Sequence, residues 1–219
     1  MDFYTFLIAT LQQKEVMTLM RLGVIYVHLI ACCVAVGLVL TSDLAMLKQL
    51  FKGQGVKQCN EHLEHLKNAV GLSLIVLWVS GIGIIAMDAS SAGLQYFLNP
   101  KLQAKITVVI LLTINGMVLH NTVLPALQQA GSLLKLPLSM RNLAIFTGAL
   151  SGVSWFYAAL LGVGHPLAWK YSLSELMTAY PLMIVGATLG MLALTKWSIS
   201  SSEEHHQSWV QNNYALSMR

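Results

Sequence analysis

The sequence predicts an all-α integral membrane protein, a bundle of five transmembrane helices with a short N-terminal interfacial helix. The 219-residue chain is 56% hydrophobic and only 10% charged, whereas soluble domains carry about 25% charged residues. Five apolar runs of about 20 residues can each cross a hydrocarbon core of about 30 Å as a helix. Their continuous apolarity, without alternation of polar and apolar residues, argues against a transmembrane barrel.

Helix-breaking and polar residues separate the runs. Pro125 is expected to close the third helix, and Pro181 is expected to kink the fifth and free a carbonyl near Met177. Asp43 is expected to cap the inner end of the first helix. The predicted helices cover residues 22–41, 70–87, 106–124, 143–163 and 173–195.

The domain organisation is simple. Residues 1–200 are predicted to form one transmembrane domain, and residues 201–219 a polar cytoplasmic tail. Within the transmembrane domain, residues 1–15 are expected to form the interfacial helix. A cleavable signal peptide is not expected there, because Asp2 stands where such a peptide would be basic.

Basic residues predict the orientation in a bacterial inner membrane. With the N-terminus outside and the C-terminus in the cytoplasm, eight basic residues fall on the inner side and five on the outer side. Inner segments of bacterial membrane proteins carry the excess of Lys and Arg. The inner set is Lys48, Lys52, Lys57, Lys67, Lys135, Arg141, Lys196 and Arg219, and the outer set is Lys14, Arg21, Lys101, Lys105 and Lys170.

Several function classes lack their sequence signatures. The chain contains no dinucleotide fingerprint, P-loop, zinc quartet or nucleophile elbow. The net charge of +4 is explained by the basic residues that set membrane topology, and no nucleic-acid partner is expected. The expected partner is the lipid bilayer. Cys32 and Cys33 are adjacent in an apolar run, where small buried side chains are expected rather than a strained disulfide.

Two GxxxG spacings lie in the fourth and fifth runs. Glycines four residues apart let helices approach closely. The pairs Gly148 with Gly152 and Gly186 with Gly190 are therefore expected to pack these two helices together, and such faces could also support a homo-oligomer.

Two histidines lie inside the apolar runs, His28 early in the first and His120 near the end of the third. An ionisable side chain in a membrane span is costly, and it is therefore a functional candidate. Small residues flank both histidines on their helix faces, which leaves room for a flat ring system. Haem b, held by axial histidine, is the expected cofactor, with one or two haems. A neutral histidine bonded to a neighbouring helix is the structural alternative.

Depth constrains how the histidines can pair. The first and third helices run in the same direction, which puts His28 and His120 about 15 Å apart along the membrane normal, so they should not share an iron. His165 lies on the side of His28 and His65 on the side of His120, so each is a candidate second axial or metal ligand. A loop position for His165 and a solvated helix start for His65 remain the alternatives.

Lys105 is a basic residue near the outer end of the third helix, close to the predicted level of His28. Its ammonium group could extend to the interface. It could instead pair with a haem propionate or an anionic substrate.

These residues resemble small bacterial membrane proteins of the CopD and HemJ type. The matching stretches are "YVHLIACCVAVGLVL" and "LQAKITVVILLTINGMVLH", and the resemblance extends from the first predicted helix to the third. CopD-type proteins are associated with copper handling, and HemJ-type proteins are haem-containing protoporphyrinogen oxidases. The resemblance implies that His28 and Lys105 are an important pair. The histidines at both faces also look like those of di-haem transmembrane b-type cytochromes.

The first functional expectation is a membrane b-type cytochrome, an oxidoreductase that transfers electrons between a quinone or small oxidant and a partner protein. The alternatives are a copper-handling or small-solute transport protein that uses the same histidines with methionines, and a structural subunit of a respiratory complex. The expected site residues are His28, His120, His65, His165 and Lys105.

Overall fold

The computed structural model describes residues 14–51, 60–164 and 169–217, and the side chains of residues 15–48, 64–164 and 169–201. Within these ranges the chain is helical and contains no strand. Its α-helices are α1 (Lys14–Phe51), α2 (Asn60–Ala92), α3 (Pro100–Val118), α4 (Leu124–Ala130), α5 (Leu138–Val163) and α6 (Leu173–Ser217). Two 3-10 turns, Leu94–Leu98 and Leu133–Lys135, and a π-helical segment, Leu119–Val123, connect them.

The described part of the chain has five helices long and apolar enough to cross a membrane, which confirms the predicted helical class and number of potential spans. These candidate spans are Glu15–Lys48, Glu64–Ala92, Pro100–Ala130, Leu138–Val163 and Leu173–Ser201. The expected interfacial helix falls mostly in residues 1–13, which lie outside the described residues.

α1 and α2 pack as an antiparallel pair. Arg21 of α1 contacts Asp88 of α2, and seven residues further along α1, His28 contacts Ser80 of α2. The partner's number falls as the position on α1 rises, so the two helices run in opposite directions. The bundle therefore has an Arg21 end, where α1 begins and α2 ends, and a Lys48 end, where α1 ends.

α3 joins the first helix pair to α5. A buried cluster of Ala35, Leu112 and Trp155 brings α1, α3 and α5 together. Nearby, the buried Asn115 side chain donates a hydrogen bond of 2.9 Å to the Thr147 carbonyl on α5. A satisfied polar bond between apolar helices fixes their relative position, because the buried amide has no water to bond to instead.

α6 packs on α5 through hydroxyl groups. The Ser154 and Tyr180 hydroxyl oxygens lie 2.8 Å apart, and the Tyr157 hydroxyl donates to the Leu176 carbonyl. Pro181 lies inside α6, which continues through it. The Leu176 carbonyl, which accepts the hydrogen bond from Tyr157, is therefore one residue from Met177, near which the sequence predicts a freed carbonyl.

The expected packing of α5 on α6 through the two GxxxG spacings is wrong. Apart from the chain neighbours and the helix's own backbone, no described atom lies within 4 Å of the position that a Cβ would occupy at Gly148, Gly186 or Gly190. Gly152 faces Asp43 of α1 instead. Spacing along one helix does not determine which neighbour a glycine faces, and here the tyrosines make the α5–α6 contact. A homo-oligomer through these glycines stays a prediction.

The helices are longer than the apolar runs, and the third does not end at Pro125. The chain passes from α3 through the π-helical segment into α4, and Gly131 then ends the helix with a left-handed backbone (φ 70°). Pro125 has no N–H to donate, and a wider helical turn before it relieves the clash of its ring with the preceding carbonyls. Similarly, α6 continues to Ser217, so the backbone of the predicted tail is helical as far as that residue.

A polar network closes the Arg21 end. The Arg21 guanidinium donates to both carboxylate oxygens of Asp88, at 2.7 and 3.3 Å, and the Tyr96 hydroxyl donates to the same carboxylate at 3.0 Å. Burial of the phenol and its bond to Asp88 raise the pKa of Tyr96 from 10.0 to about 12. The neutral phenol is thus favoured in the folded protein. Its contribution to stability is complete below about pH 10 and is lost between about pH 10 and 12.

We expect the substitution Asp88→Asn to lower the pKa of Tyr96, because it removes the negative charge that opposes formation of the phenolate. Ultraviolet difference titration of the tyrosines measures this, and the substitution Tyr96→Phe identifies the phenol concerned. Asp43→Asn, the same chemical change at the Lys48 end, is the control and should leave the Tyr96 titration unchanged. An unaltered titration in Asp88→Asn would contradict the network.

Candidate functional site

The His28 ring is held by α2. Its Nδ1 lies 2.8 Å from the Ser80 hydroxyl oxygen, which itself lies 2.5 Å from the Val76 carbonyl. A serine hydroxyl has one proton, and the carbonyl can only accept it. Ser80 therefore donates to Val76 and accepts from the Nδ1–H of His28. In this tautomer Nε2 carries the free lone pair. The Leu77 carbonyl also interacts with the ring, and as an acceptor it can bond only to a ring N–H.

The imidazole lies against Gly81 of α2. A Cβ placed at this glycine would lie 3.5 Å from His28 Cε1, which is ordinary van der Waals contact. The half-buried ring thus rests against α2 on one edge, while the hydrogen bond from Nδ1 fixes its rotation. A ring held by both contacts presents Nε2 in a defined direction.

Lys105 of α3 is the cation nearest this histidine. Its half-buried ammonium group lies within electrostatic range of both His28 and Cys32, which is one turn further along α1. No carboxylate of the described residues pairs with Lys105, since their one ion pair is Arg21 with Asp88. A partly buried, unpaired ammonium group favours an anionic partner.

Together, the free Nε2 of His28 and the ammonium group of Lys105 form a cluster, with Ser80 behind the imidazole. We name these three residues the His28 cluster. A neutral imidazole nitrogen is a ligand for haem iron, and an ammonium group can pair with a carboxylate. The donor set fits haem, which has an iron that needs an axial nitrogen and two propionates that need cations.

His120 lies in the π-helical segment, 15 residues after Lys105 and therefore about 22 Å further along the helix. It is half-buried, and Lys67 of α2 lies within electrostatic range. Its Nδ1 is buried and has no hydrogen-bond partner among the described residues. π-Helical turns inside helices often occur at functional sites. The two embedded histidines are thus at different levels of the bundle, and His120 does not belong to the His28 cluster.

The remaining predicted ligands are placed less specifically. His65 is exposed near the beginning of α2, on the same helix as Lys67. His165 lies outside the described residues. Among the side chains that are described, no three of His, Cys, Asp or Glu lie close enough to hold a metal ion. The proposed pairs, His28 with His165 and His120 with His65, stay predictions.

Sequence reasoning missed Ser80, the residue that fixes the His28 tautomer. A serine in an apolar run can satisfy its own hydroxyl by bonding to the preceding turn, as Ser80 does with Val76. Its sequence position alone therefore gives little indication of a second role. The available signal was the pair Ser80–Gly81, a hydroxyl beside a residue without a side chain, at a depth that matches His28 on an antiparallel neighbour.

The fold defines the class of protein only coarsely, as an all-helical chain with five helices long and apolar enough to cross a membrane. The His28 cluster adds a histidine, a serine and a lysine that lie near one another on α1, α2 and α3. Comparisons with models of protein families, with curated proteins and with solved structures found no match.

Proposed function

We propose that this chain is a membrane-inserted b-type cytochrome that binds haem through Nε2 of His28. The observation that carries the proposal is the hydrogen bond from His28 Nδ1 to Ser80, which leaves Nε2 as the free nitrogen inside a candidate span. Ligating histidines in metal sites commonly donate their other N–H in this way, which fixes the ring and raises the basicity of the ligating nitrogen.

The neighbouring residues have distinct roles in this proposal. Lys105 neutralises a haem propionate, and this role accounts for a cation that has no carboxylate partner among the described residues. Ser80 orients the imidazole, and the apolar helices exclude water. When bound, the haem would supply one-electron chemistry between a quinone or small oxidant and a partner protein. The nearness of His28 and Lys105 also supports the resemblance to HemJ-type proteins, in which that pair is important.

The proposal includes insertion in the bacterial inner membrane, with the N-terminus outside and the C-terminus in the cytoplasm. It is supported by five helices of spanning length and by the bias of basic residues, eight against five. Fusing a reporter that is active only in the cytoplasm to the C-terminus tests the orientation. Fluorescence from a fused cytoplasmic fluorescent protein supports it, and activity of a fused periplasmic phosphatase contradicts it.

The decisive experiment is a reduced-minus-oxidised visible spectrum of the protein purified without added metal, combined with a pyridine haemochrome assay. A Soret band with a sharp α band, and haem b by the pyridine assay, is the expected result. Absence of a chromophore together with copper by elemental analysis would overturn the proposal in favour of copper handling. Absence of both would leave a structural subunit or a transport protein as the better explanation.

We expect Ser80→Ala to weaken haem binding by about 10- to 100-fold, because outer-shell bonds of ligating histidines contribute that much to affinity. Haem titration of the apoprotein, followed by the Soret band, measures the change. Ser90→Ala is the matched control, since the Ser90 hydroxyl bonds to the Met87 carbonyl on the same helix without contacting the histidine. Equal affinities of the two variants would remove Ser80 from the site.

A further inference from the structure

Asp43 is an acidic residue in the interior of α1, within the candidate span. The expectation that it caps the helix is wrong, because α1 continues for eight residues beyond it to Phe51. The carboxyl group thus has no free helix-end N–H groups to accept from. It lies five residues before Lys48, about 8 Å along the helix from that end of the span.

The carboxyl group points at α5. Its Oδ2 lies 3.2 Å from the position that a Cβ would occupy at Gly152, closer than side chains normally approach. The absence of a side chain on Gly152 therefore makes the space for the carboxyl group. Asp43 is half-buried, and no hydrogen bond or ion pair from a described residue reaches its oxygens.

Charged groups on the described helices packed around Asp43 do not balance the negative charge of its carboxylate. α1, α2, α5 and α6 carry basic residues near the Lys48 end, but none forms an ion pair with Asp43 or interacts with it electrostatically. Arg141, for example, precedes Gly152 by 11 residues, about 16 Å along α5. The basic groups concerned are Lys48 on α1, Lys67 on α2, Lys135 in the turn before α5, Arg141 on α5 and Lys196 on α6. The other titratable groups are His65 and Glu64 on α2 and His120 in the π-helical segment, whose neighbours pack with Met46 of α1.

The other described acids have ordinary surroundings. Asp88 is paired with Arg21, and Glu175 is exposed and accepts from Ser172. Glu15 and Glu64 are exposed near helix starts. Asp43 differs from all four because it is partly buried within a span and has no partner among the described side chains. An unpaired carboxylate in apolar surroundings is costly, and such a group takes up a proton instead.

We propose that Asp43 is a proton-binding site, holding its carboxyl as a neutral acid between α1 and α5 and exchanging the proton with the Lys48 side of the membrane. The assignment does not depend on haem at His28, because the two residues are 15 positions apart on α1, about 22 Å. Proton uptake at such a site would allow charge compensation for an electron or a cation that enters the membrane.

Labelling of the full-length protein in lipid vesicles with the apolar reagent dicyclohexylcarbodiimide tests the proposal. A neutral carboxyl gives its proton to a reagent nitrogen and adds its oxygen to the central carbon, and the adduct rearranges to a stable acylurea without a leaving group. We expect peptide mass spectrometry to show Asp43 labelled at least about tenfold more than Asp88, since a buried unpaired acid is neutral and an ion-paired one is not. The control variant Asp43→Asn should lose that adduct only.

Two further measurements make the test decisive. We expect the infrared spectrum to contain the carbonyl band of a neutral carboxylic acid that disappears in Asp43→Asn. We also expect Gly152→Ala to slow the labelling, because the added methyl group occupies the space beside Oδ2. Equal labelling of Asp43 and Asp88, or no band lost in Asp43→Asn, would overturn the proposal. Protection by sodium at constant pH would overturn it in favour of a cation site.

Discussion

The substitution His28→Ala should reduce haem affinity by more than about 100-fold, since loss of the ligand exceeds the 10- to 100-fold effect of losing an outer-shell partner. The protein itself should still fold, because the half-buried imidazole contributes one interhelical hydrogen bond, to Ser80, while buried apolar residues elsewhere hold α1 in the bundle. Haem per polypeptide, measured by the pyridine assay after size-exclusion chromatography, separates loss of ligand from loss of fold.

A control variant at a second histidine and rescue by added imidazole make this test more specific. His65→Ala removes an exposed imidazole from the same membrane protein and, if one haem is bound at His28, should leave the haem content unchanged. Imidazole added to His28→Ala should restore part of the Soret band, because the free base can occupy the space of the lost ring. Full haem content in His28→Ala would refute the ligand assignment. Half of the content would indicate a second haem at His120.

Lys105 contributes a separate effect. If the ammonium group of Lys105 pairs with a propionate, it offsets the negative charge of that propionate near the iron. Removal of Lys105 then changes both the haem affinity and the reduction potential of the haem. If it only extends to the interface, neither quantity depends on it. The location of Lys105 within electrostatic range of His28, without a carboxylate partner among the described residues, favours the first role.

The number of candidate spans could be predicted from sequence, but the ends of their helices could not. An apolar run is a property of the segment itself, because the hydrocarbon thickness sets its length. Beyond the apolar core, polar residues such as Lys14 and Asn60 also form helix, since α-helical hydrogen bonds do not need an apolar environment. Pro125 ended the predicted helix by the usual rule, whereas a π-helical turn allows the helix to continue past it.

The site was predictable in part for a similar reason. His28 and Lys105 stand out individually, because ionisable residues are rare in apolar sequence. Ser80 and Gly152 acquire their roles from the register between helices, which depends on packing far apart in the chain and has no local signature. The tautomer of His28 and the space beside Asp43 therefore emerge only when α1, α2 and α5 are placed together.

Trp155 is where we expect the largest effect on stability. Its indole is 3% exposed and packs with Ala35 and Leu112, so one side chain joins α5 to α1 and α3. In a soluble core, Trp→Ala costs about 3–5 kcal/mol through lost transfer free energy and the cavity left behind. In the proposed membrane-inserted state, separated helices remain in apolar surroundings, so the transfer contribution shrinks while the lost packing remains. We therefore expect Trp155→Ala to cost about 3 kcal/mol, near the lower end of that range.

Phe156 is the appropriate control, because it is the next residue of α5 and 42% exposed. Its aromatic ring faces away from the cluster, and Phe156→Ala should change the free energy of unfolding by only about 0.5 kcal/mol. Reversible unfolding in mixed micelles with increasing sodium dodecyl sulfate, followed by circular dichroism, compares the two variants. Similar losses would show that exposed and buried aromatic residues contribute equally, and would contradict a bundle held together at Trp155. A selective loss in Trp155→Ala requires the indole to be packed between the three helices, which is the arrangement that also brings α1 and α3 close enough for Lys105 to act on His28.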